Sequence, residues 1–405
     1  MIRVLFIVAV SLMFRPALRA QEPIDLLVDE SGRRITSLDE WKTLRRKHLV
    51  TAVEMIYGTM PPKPQHVTTK VLARREILGG TAVETLLVML IHRGESMVPV
   101  RVGVVRPKND RPCGVVIKND RWLFDLSAMP PGRKRDQYES QDREATFRAV
   151  RKMTMDRGVA ICKFVREDLA VDAPNCRQTG VLAMYPEESW GTIAAWAWAY
   201  SPLIDLLQRD FGIDPKRIIS TGHSRGGKTA LAAAIFDERI AVAAPSASGS
   251  GGTGSMQYFT EGGRRQTSET LFANHSFWFA PGLASLDSSK VLPVDGHVLQ
   301  ALVAPRGLIN TQGIDDGLAN PRGTKMMFER SREVFKLLGA KLPPATHWRP
   351  GGHGHTLEDW KAVLDYADAY YGGQPLPDGF DDWPATAGDD APHPQPLSPE
   401  NSRES

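Results

Sequence analysis

The clearest chemistry in the chain lies at Ser220-Thr221-Gly222-His223-Ser224-Arg225-Gly226-Gly227-Lys228. A serine with glycines two positions before and after it suits a sharp strand-to-helix turn, because only small residues fit where strand and helix approach. Such a turn pushes the Ser224 hydroxyl out at the end of a sheet. It also aims the positive end of the next helix at an oxyanion forming there. The backbone N–H of Arg225 would donate to that oxyanion. A serine hydroxyl needs a base before it attacks a carbonyl. Arg349-Pro350-Gly351-Gly352-His353-Gly354-His355-Thr356 offers two candidates, His353 and His355, in a glycine-rich loop. Between serine and histidines, Gly313-Ile314-Asp315-Asp316 follows an apolar run. A carboxylate there can hold the histidine in its working tautomer and stabilise the imidazolium. Asp316 is the first choice and Asp315 the second. The bland readings are a glycine-serine turn without chemistry, an idle loop histidine and a helix-capping aspartate.

These residues need a scaffold, and the sequence describes one. An apolar strand, Arg217 to Ser220, runs into the serine, and an Ala-rich helix, Thr229 to Phe236, follows it. From residue 113 onward strands and helices alternate. Strands are expected at Val115–Ile117, Val159–Phe164, Ile240–Ala243 and Gly307–Asn310. Helices are expected at Thr192–Leu207, Met326–Leu338 and Leu357–Tyr371. That alternation implies a mostly parallel sheet covered by helices on both faces. With the order serine, acid, histidine, it predicts an α/β fold of the α/β-hydrolase type. Ahead of it, Ser37-Leu38-Asp39-Glu40 reads as a capping box opening a helix over Trp41–Met55. Residues 67–105 read as antiparallel strands, with Leu86–Ile91 the clearest.

The 405 residues are 42% apolar and 24% charged, ordinary for a globular chain. Fifty basic and 47 acidic residues leave a net charge of +3. No clustered basic surface results, which argues against nucleic acid as a partner. Arg3, the apolar run Val4–Phe14 and Ala20 read as a signal peptide over residues 1–20. Residues 21–375 are then one domain and 376–405 a disordered tail too polar to offset its ordering entropy. The protein is expected to be periplasmic or secreted, monomeric and without stable membrane insertion. Cys113, Cys162 and Cys176 match no metal spacing, so no structural metal is expected; Cys162 and Cys176 are close enough in sequence to pair.

Arg225 directly after the serine and Lys228 four residues on resemble the glucuronoyl esterases, carbohydrate esterase family fifteen. The similarity extends over roughly residues 25–375. It includes Asp237-Glu238-Arg239, Gly249-Ser250-Gly251-Gly252, Leu292-Pro293-Val294-Asp295, Ala304-Pro305-Arg306-Gly307, Ala319-Asn320-Pro321-Arg322-Gly323 and Glu358-Asp359-Trp360. In the family the histidine precedes Asp-Trp by six and seven residues, which selects His353 over His355. The resemblance implies that Arg225 also reaches the oxyanion with its side chain and that Lys228 binds a sugar hydroxyl. Helical spacing alone lets Lys228 reach a pocket rim. Ala247 stands where many members carry a catalytic glutamate. Others place the acid after the next strand, as Asp316 does. Near Gly254–Tyr258 the aromatic–arginine pair usual for a uronic acid is missing, and Trp278 with Arg264 would replace it.

The resemblance implies two-step acyl transfer on 4-O-methyl-glucuronoyl esters that link xylan to lignin alcohols, with no cofactor. Competing readings are an acetyl xylan esterase or other acyl esterase, a peptidase of similar fold, and a carbohydrate-binding relic motivated by Ala247.

Overall fold

A computed structural model describes residues 22–123, 141–259, 265–384 and 395–396. The expected signal peptide lies outside them. Nine strands form one sheet in the order β1-β2-β3-β5-β4-β6-β7-β9-β10. Three long strands, β1 (His66–Ile77), β2 (Ala82–Arg93) and β3 (Ser96–Pro107), form an antiparallel meander at one edge. β3 also pairs antiparallel with β5 (Val159–Val165). From there the sheet is parallel through β4 (Cys113–Asp120), β6 (Ile213–His223), β7 (Val242–Ser246), β9 (Gly307–Gly313) and β10 (Ala345–Arg349). Two short strands, β8 (Tyr258–Phe259) and β11 (Gln395–Pro396), pair separately.

The parallel strands are buried on both faces, so their side chains divide by alternation. Val115 and Ile117 of β4 join one core and Val116 the other. Ala160, Cys162 and Phe164 of β5 face the larger core while Val159 and Ile161 face the smaller. The larger core lies beneath the helices Thr192–Trp198, Tyr200–Phe211 and Arg225–Phe236. The smaller is closed by Leu357–Gly372, with Val150 of Gln141–Asp156 beside it. β5 and β6 flank β4, so the chain reverses its direction of travel across the sheet there. In open parallel sheets that reversal leaves a crevice at the carboxyl ends of the strands.

Several boundaries differ from expectation. The single helix expected over Thr192–Leu207 is two, meeting at Ala199, with Pro202 in the first turn of the second, where its missing N–H costs nothing. Ser37 caps its helix by accepting from Glu40 N, but the Glu40 carboxylate turns to Thr36 and Arg33 instead of completing the box. All three cysteines are buried free thiols, so Cys162 and Cys176 do not pair. The tail expected to lack order from residue 376 stays packed beyond that point. Phe380 is buried beside Tyr366, the Asp381 carboxylate accepts from Thr346 N at 2.8 Å, and Trp383 meets Trp348 edge-on at 4.9 Å. Aromatic and capping contacts held there outweigh the polar composition around them. Among the described residues no helix is long and apolar enough to cross a membrane.

Phe164 is fully buried and meets Tyr200 edge-on, ring centroids 5.2 Å apart. Phe164→Ala should cost about 3–5 kcal/mol of unfolding free energy through lost burial and the cavity left behind. Urea titration reads this as a lower midpoint at unchanged slope.

Candidate active site

β6 ends at His223, and the helix Arg225–Phe236 begins one residue after Ser224. Ser224 therefore carries the whole turn, at φ 58° and ψ −122°, a backbone conformation costly for any residue with a side chain. The neighbouring glycines permit it. A Cβ at Gly222 would lie 2.2 Å from the carbonyl oxygen of Gly226, and one at Gly226 would lie 2.8 Å from Asn119 Oδ1. Asn119 on β4 ties the turn down, its amide donating to Gly226 O at 2.9 Å and to the Tyr200 hydroxyl at 2.9 Å. The N–H groups of Gly227 and Lys228 donate back to the Ser224 carbonyl, at 2.8 and 3.1 Å, so those of Arg225 and Gly226 are the ones left to face an anion.

The other two expected partners come from two further strand ends. Asp316 follows β9, is 1% exposed, and accepts from the N–H groups of Leu318 and Ala319 at 3.1 Å each through Oδ1. Its second oxygen lies 2.8 Å from His353 Nδ1, in the loop after β10. Asp315 points elsewhere and accepts from Gly351 N at 3.0 Å, bracing the histidine loop. Of the two candidate acids, it is Asp316 whose side chain contacts His353. Ala247 offers no carboxylate, and the Asp316 side chain makes the histidine contact from the neighbouring strand end.

Ser224, Arg225 and His353 line one cavity of about 400 Å³ at the carboxyl ends of β4, β5 and β6. Among the described residues no hydrogen bond joins Ser224 to His353; such contacts commonly tighten only when substrate completes the site. Unlike His353, His355 has no carboxylate contact among the described residues. Its ring lies between His223 (5.9 Å) and Trp360 (5.3 Å), nearly parallel to both, and neither nitrogen has a hydrogen-bond partner. Burial pushes His223 down to about 3, with His353 adding to the effect, and holds His355 well below its ordinary range. Both rings are therefore neutral spacers, and His223 lies 4.5 Å from the His353 ring.

Arg225 turns its guanidinium over Trp278, 4.7 Å from the ring centre, and pairs with Asp172. Asp172 also accepts from Trp278 Nε1 at 2.8 Å and pairs with Arg121 at 3.0 Å. Burial alone would raise the Asp172 carboxyl, but Arg225, the Trp278 hydrogen bond and the nearby Arg166 charge outweigh it and lower it. Asp172 was not visible in the sequence as a site residue, because nothing in its loop marks it. Trp278 is buried as a wall behind Arg225, and Arg264 lies outside the described residues. Lys228 is 4% exposed rather than at a rim, and its ammonium donates to the carbonyl of Ser248. Among the described residues no cluster of histidine, cysteine and carboxylate side chains is arranged to hold a metal.

Removing the Asp316 carboxylate should cost roughly 10³–10⁴-fold in kcat, as when the orienting acid of a serine–histidine pair is lost. Asp315→Ala should change kcat by only a small factor. Equal losses in the two variants would remove Asp316 from its assigned place. A second prediction concerns Lys228, which burial pushes down to about 7, with Arg225 adding to the effect. The unfolded amine holds its proton to about 10.4, so between these values the unfolded chain binds more protons. Stability should therefore rise as pH climbs through this window, with the full penalty present below about 7. Lys228→Met should flatten that rise in urea midpoints measured across the window.

Comparison with known proteins places this geometry. A family model described as glucuronyl esterase, fungi, matches residues 145–339. A carbohydrate esterase from an unknown prokaryotic organism is 29% identical over 399 residues, covering 86% of this chain and 89% of that protein. The 4-O-methyl-glucuronoyl methylesterase of Podospora anserina is 28% identical, covering 80% of this chain and 62% of its own. The solved carbohydrate esterase family 15 glucuronoyl esterase from Caldicellulosiruptor kristjansonii is 27% identical at a TM-score of 0.68, covering 87% of this chain and 91% of that one. The glucuronoyl esterase from Solibacter usitatus shares the fold at a TM-score of 0.73 and 22% identity. With a serine on a strained turn and an acid–histidine pair at adjoining strand ends, the chain has an α/β-hydrolase fold and is similar to the glucuronoyl esterases of carbohydrate esterase family fifteen, which are carboxylic ester hydrolases.

Proposed function

We propose that this carboxylic ester hydrolase cleaves 4-O-methyl-glucuronoyl esters of plant cell-wall glucuronoxylan by a serine acyl-enzyme mechanism. The observation that carries the mechanism is the 2.8 Å contact between Asp316 and His353, made beside the cavity that holds Ser224. His353, with Nδ1 engaged by Asp316, presents its other nitrogen to the cavity and takes the proton of Ser224 as the hydroxyl attacks the ester carbonyl. The backbone N–H of Arg225 and its guanidinium meet the oxyanion, the latter held by Asp172 and Trp278. His353 returns the proton to the leaving alcohol. Water then repeats the sequence on the acyl-enzyme and releases the uronic acid.

The uronoyl assignment rests on the curated relatives named 4-O-methyl-glucuronoyl methylesterases, and the lignin alcohol is the finer part of the same proposal. Lys228 acts from beneath the Ser248 loop, setting the loop that would border a sugar ring. The apolar leader at residues 4–14 supports export, to the periplasm or beyond.

Turnover of a benzyl glucuronate ester should exceed that of acetylated xylan, and Ser224→Ala should lower it by roughly 10⁴-fold or more. Faster release of acetate would move the substrate to the acetyl class. Undiminished hydrolysis by Ser224→Ala would point to the carbohydrate-binding relic.

A further inference from the structure

The cavity beside Ser224 is more cationic than the reaction above requires. Five cations, Lys118, Arg121, Lys163, Arg166 and Arg225, line it, while Asp120 is the one carboxylate among its described lining residues. Four of the five have anionic partners. Lys118 and Lys163 both pair with Asp120, at 3.2 and 3.0 Å, and Arg121 and Arg225 share Asp172.

Arg166 is different. It follows β5, is 7% exposed, and among the described residues its guanidinium makes neither a hydrogen bond nor an ion pair. The guanidinium lies over the Trp196 ring, 5.0 Å from the centre, and Asp120 and Asp172 favour its charge from beyond ion-pair distance, so among the described residues its N–H edges still make no hydrogen bond. A buried arginine keeps its charge and five donors, and leaving these unmet is costly. The group sits where an anion would be best received. Its Nη1 lies 3.1 Å from the point a Cβ would take on Gly226, so it borders the first turn of the Ser224 helix, whose N–H groups also favour negative charge.

The rest of the wall indicates what carries that charge. Phe147 and Trp360 face the same cavity, the Lys163 ammonium lies 4.3 Å from the Phe147 ring centre and the Lys118 ammonium 5.7 Å from that of Trp360. Aromatic walls studded with cations suit a flat ring bearing an anion. The carboxyl of the acid part is consumed in the ester under attack, so a free carboxylate belongs to the alcohol. Resting on the esterase reading above, we infer that Arg166 is the anchor of a carboxylate subsite that selects esters whose leaving alcohol is aromatic and itself carries a carboxylate.

The test compares glucuronate esters of benzyl alcohol and of meta- and para-carboxybenzyl alcohol. In the wild type one of the carboxylated esters should have a kcat/KM roughly tenfold or more above the benzyl ester, the scale of a charge-assisted hydrogen bond. Arg166→Met should bring that ratio close to one. Arg166→Lys, which keeps the charge but loses the planar fork, should retain part of it, and it serves as the readout if the Met variant does not fold. A wild-type ratio near one, or a ratio unchanged in the variants, overturns the inference. Calorimetric binding of the free alcohols to Ser224→Ala separates this outcome from failure of the esterase reading. Tighter binding of a carboxybenzyl alcohol than of benzyl alcohol, weakened by a second change at Arg166, supports the subsite even if no ester is cleaved. Equal binding of the two alcohols overturns it.

Discussion

Everything in this site depends on how closely β6 and the helix behind it approach. With 2.2 Å between the Gly226 carbonyl oxygen and a would-be Cβ on Gly222, the chain has no room for side chains on either side of the turn. Ser224 must therefore absorb the reversal in its own backbone, at positive φ. Strain of that kind persists only where the surroundings over-determine it. Here Asn119 holds the turn from β4, and Ser246 of β7 accepts from Ser224 N at 2.9 Å. The sheet's central strands thus hold the hydroxyl in place before any partner arrives.

The partners reach it by a division of labour among strand ends. The β9 end carries the carboxylate, the β10 end carries the imidazole, and β4 and β5 end in the charged wall opposite. Neutral rings fill the space between: His223 against His353 on one side, His355 against Trp360 on the other. Burial keeps His223 and His355 uncharged, so they pack as flat spacers and add no positive charge beside His353.

What could be read from the sequence was what local pattern encodes. The Gly-x-Ser-x-Gly turn, the strands of β4 to β7 and the final helix announce themselves through glycine spacing, apolar runs and capping. His353 needed the family spacing to Asp359-Trp360, and Asp316 needed coordinates to separate it from Asp315. β10 escaped notice because Ala345-Thr346-His347-Trp348-Arg349 mixes polar and apolar residues in a short run that pairs with β9 alone within the main sheet. The helix at Gln141–Asp156 was missed because seven of its sixteen residues are charged and its few apolar residues make a weak helical pattern. Asp172 and Arg166 could not be found at all by such reasoning. Their importance comes from neighbours brought together by the fold: Trp278 lies 106 positions from Asp172.

The three thiols carry a consequence of their own. Cys113, Cys162 and Cys176 are buried and unbridged, and burial raises each of them, so little thiolate forms to react. The fold accordingly owes none of its cohesion to sulfur cross-links. The same native molecule can be reached in an oxidising space outside a cell or in a reducing cytosol, without a disulfide isomerase.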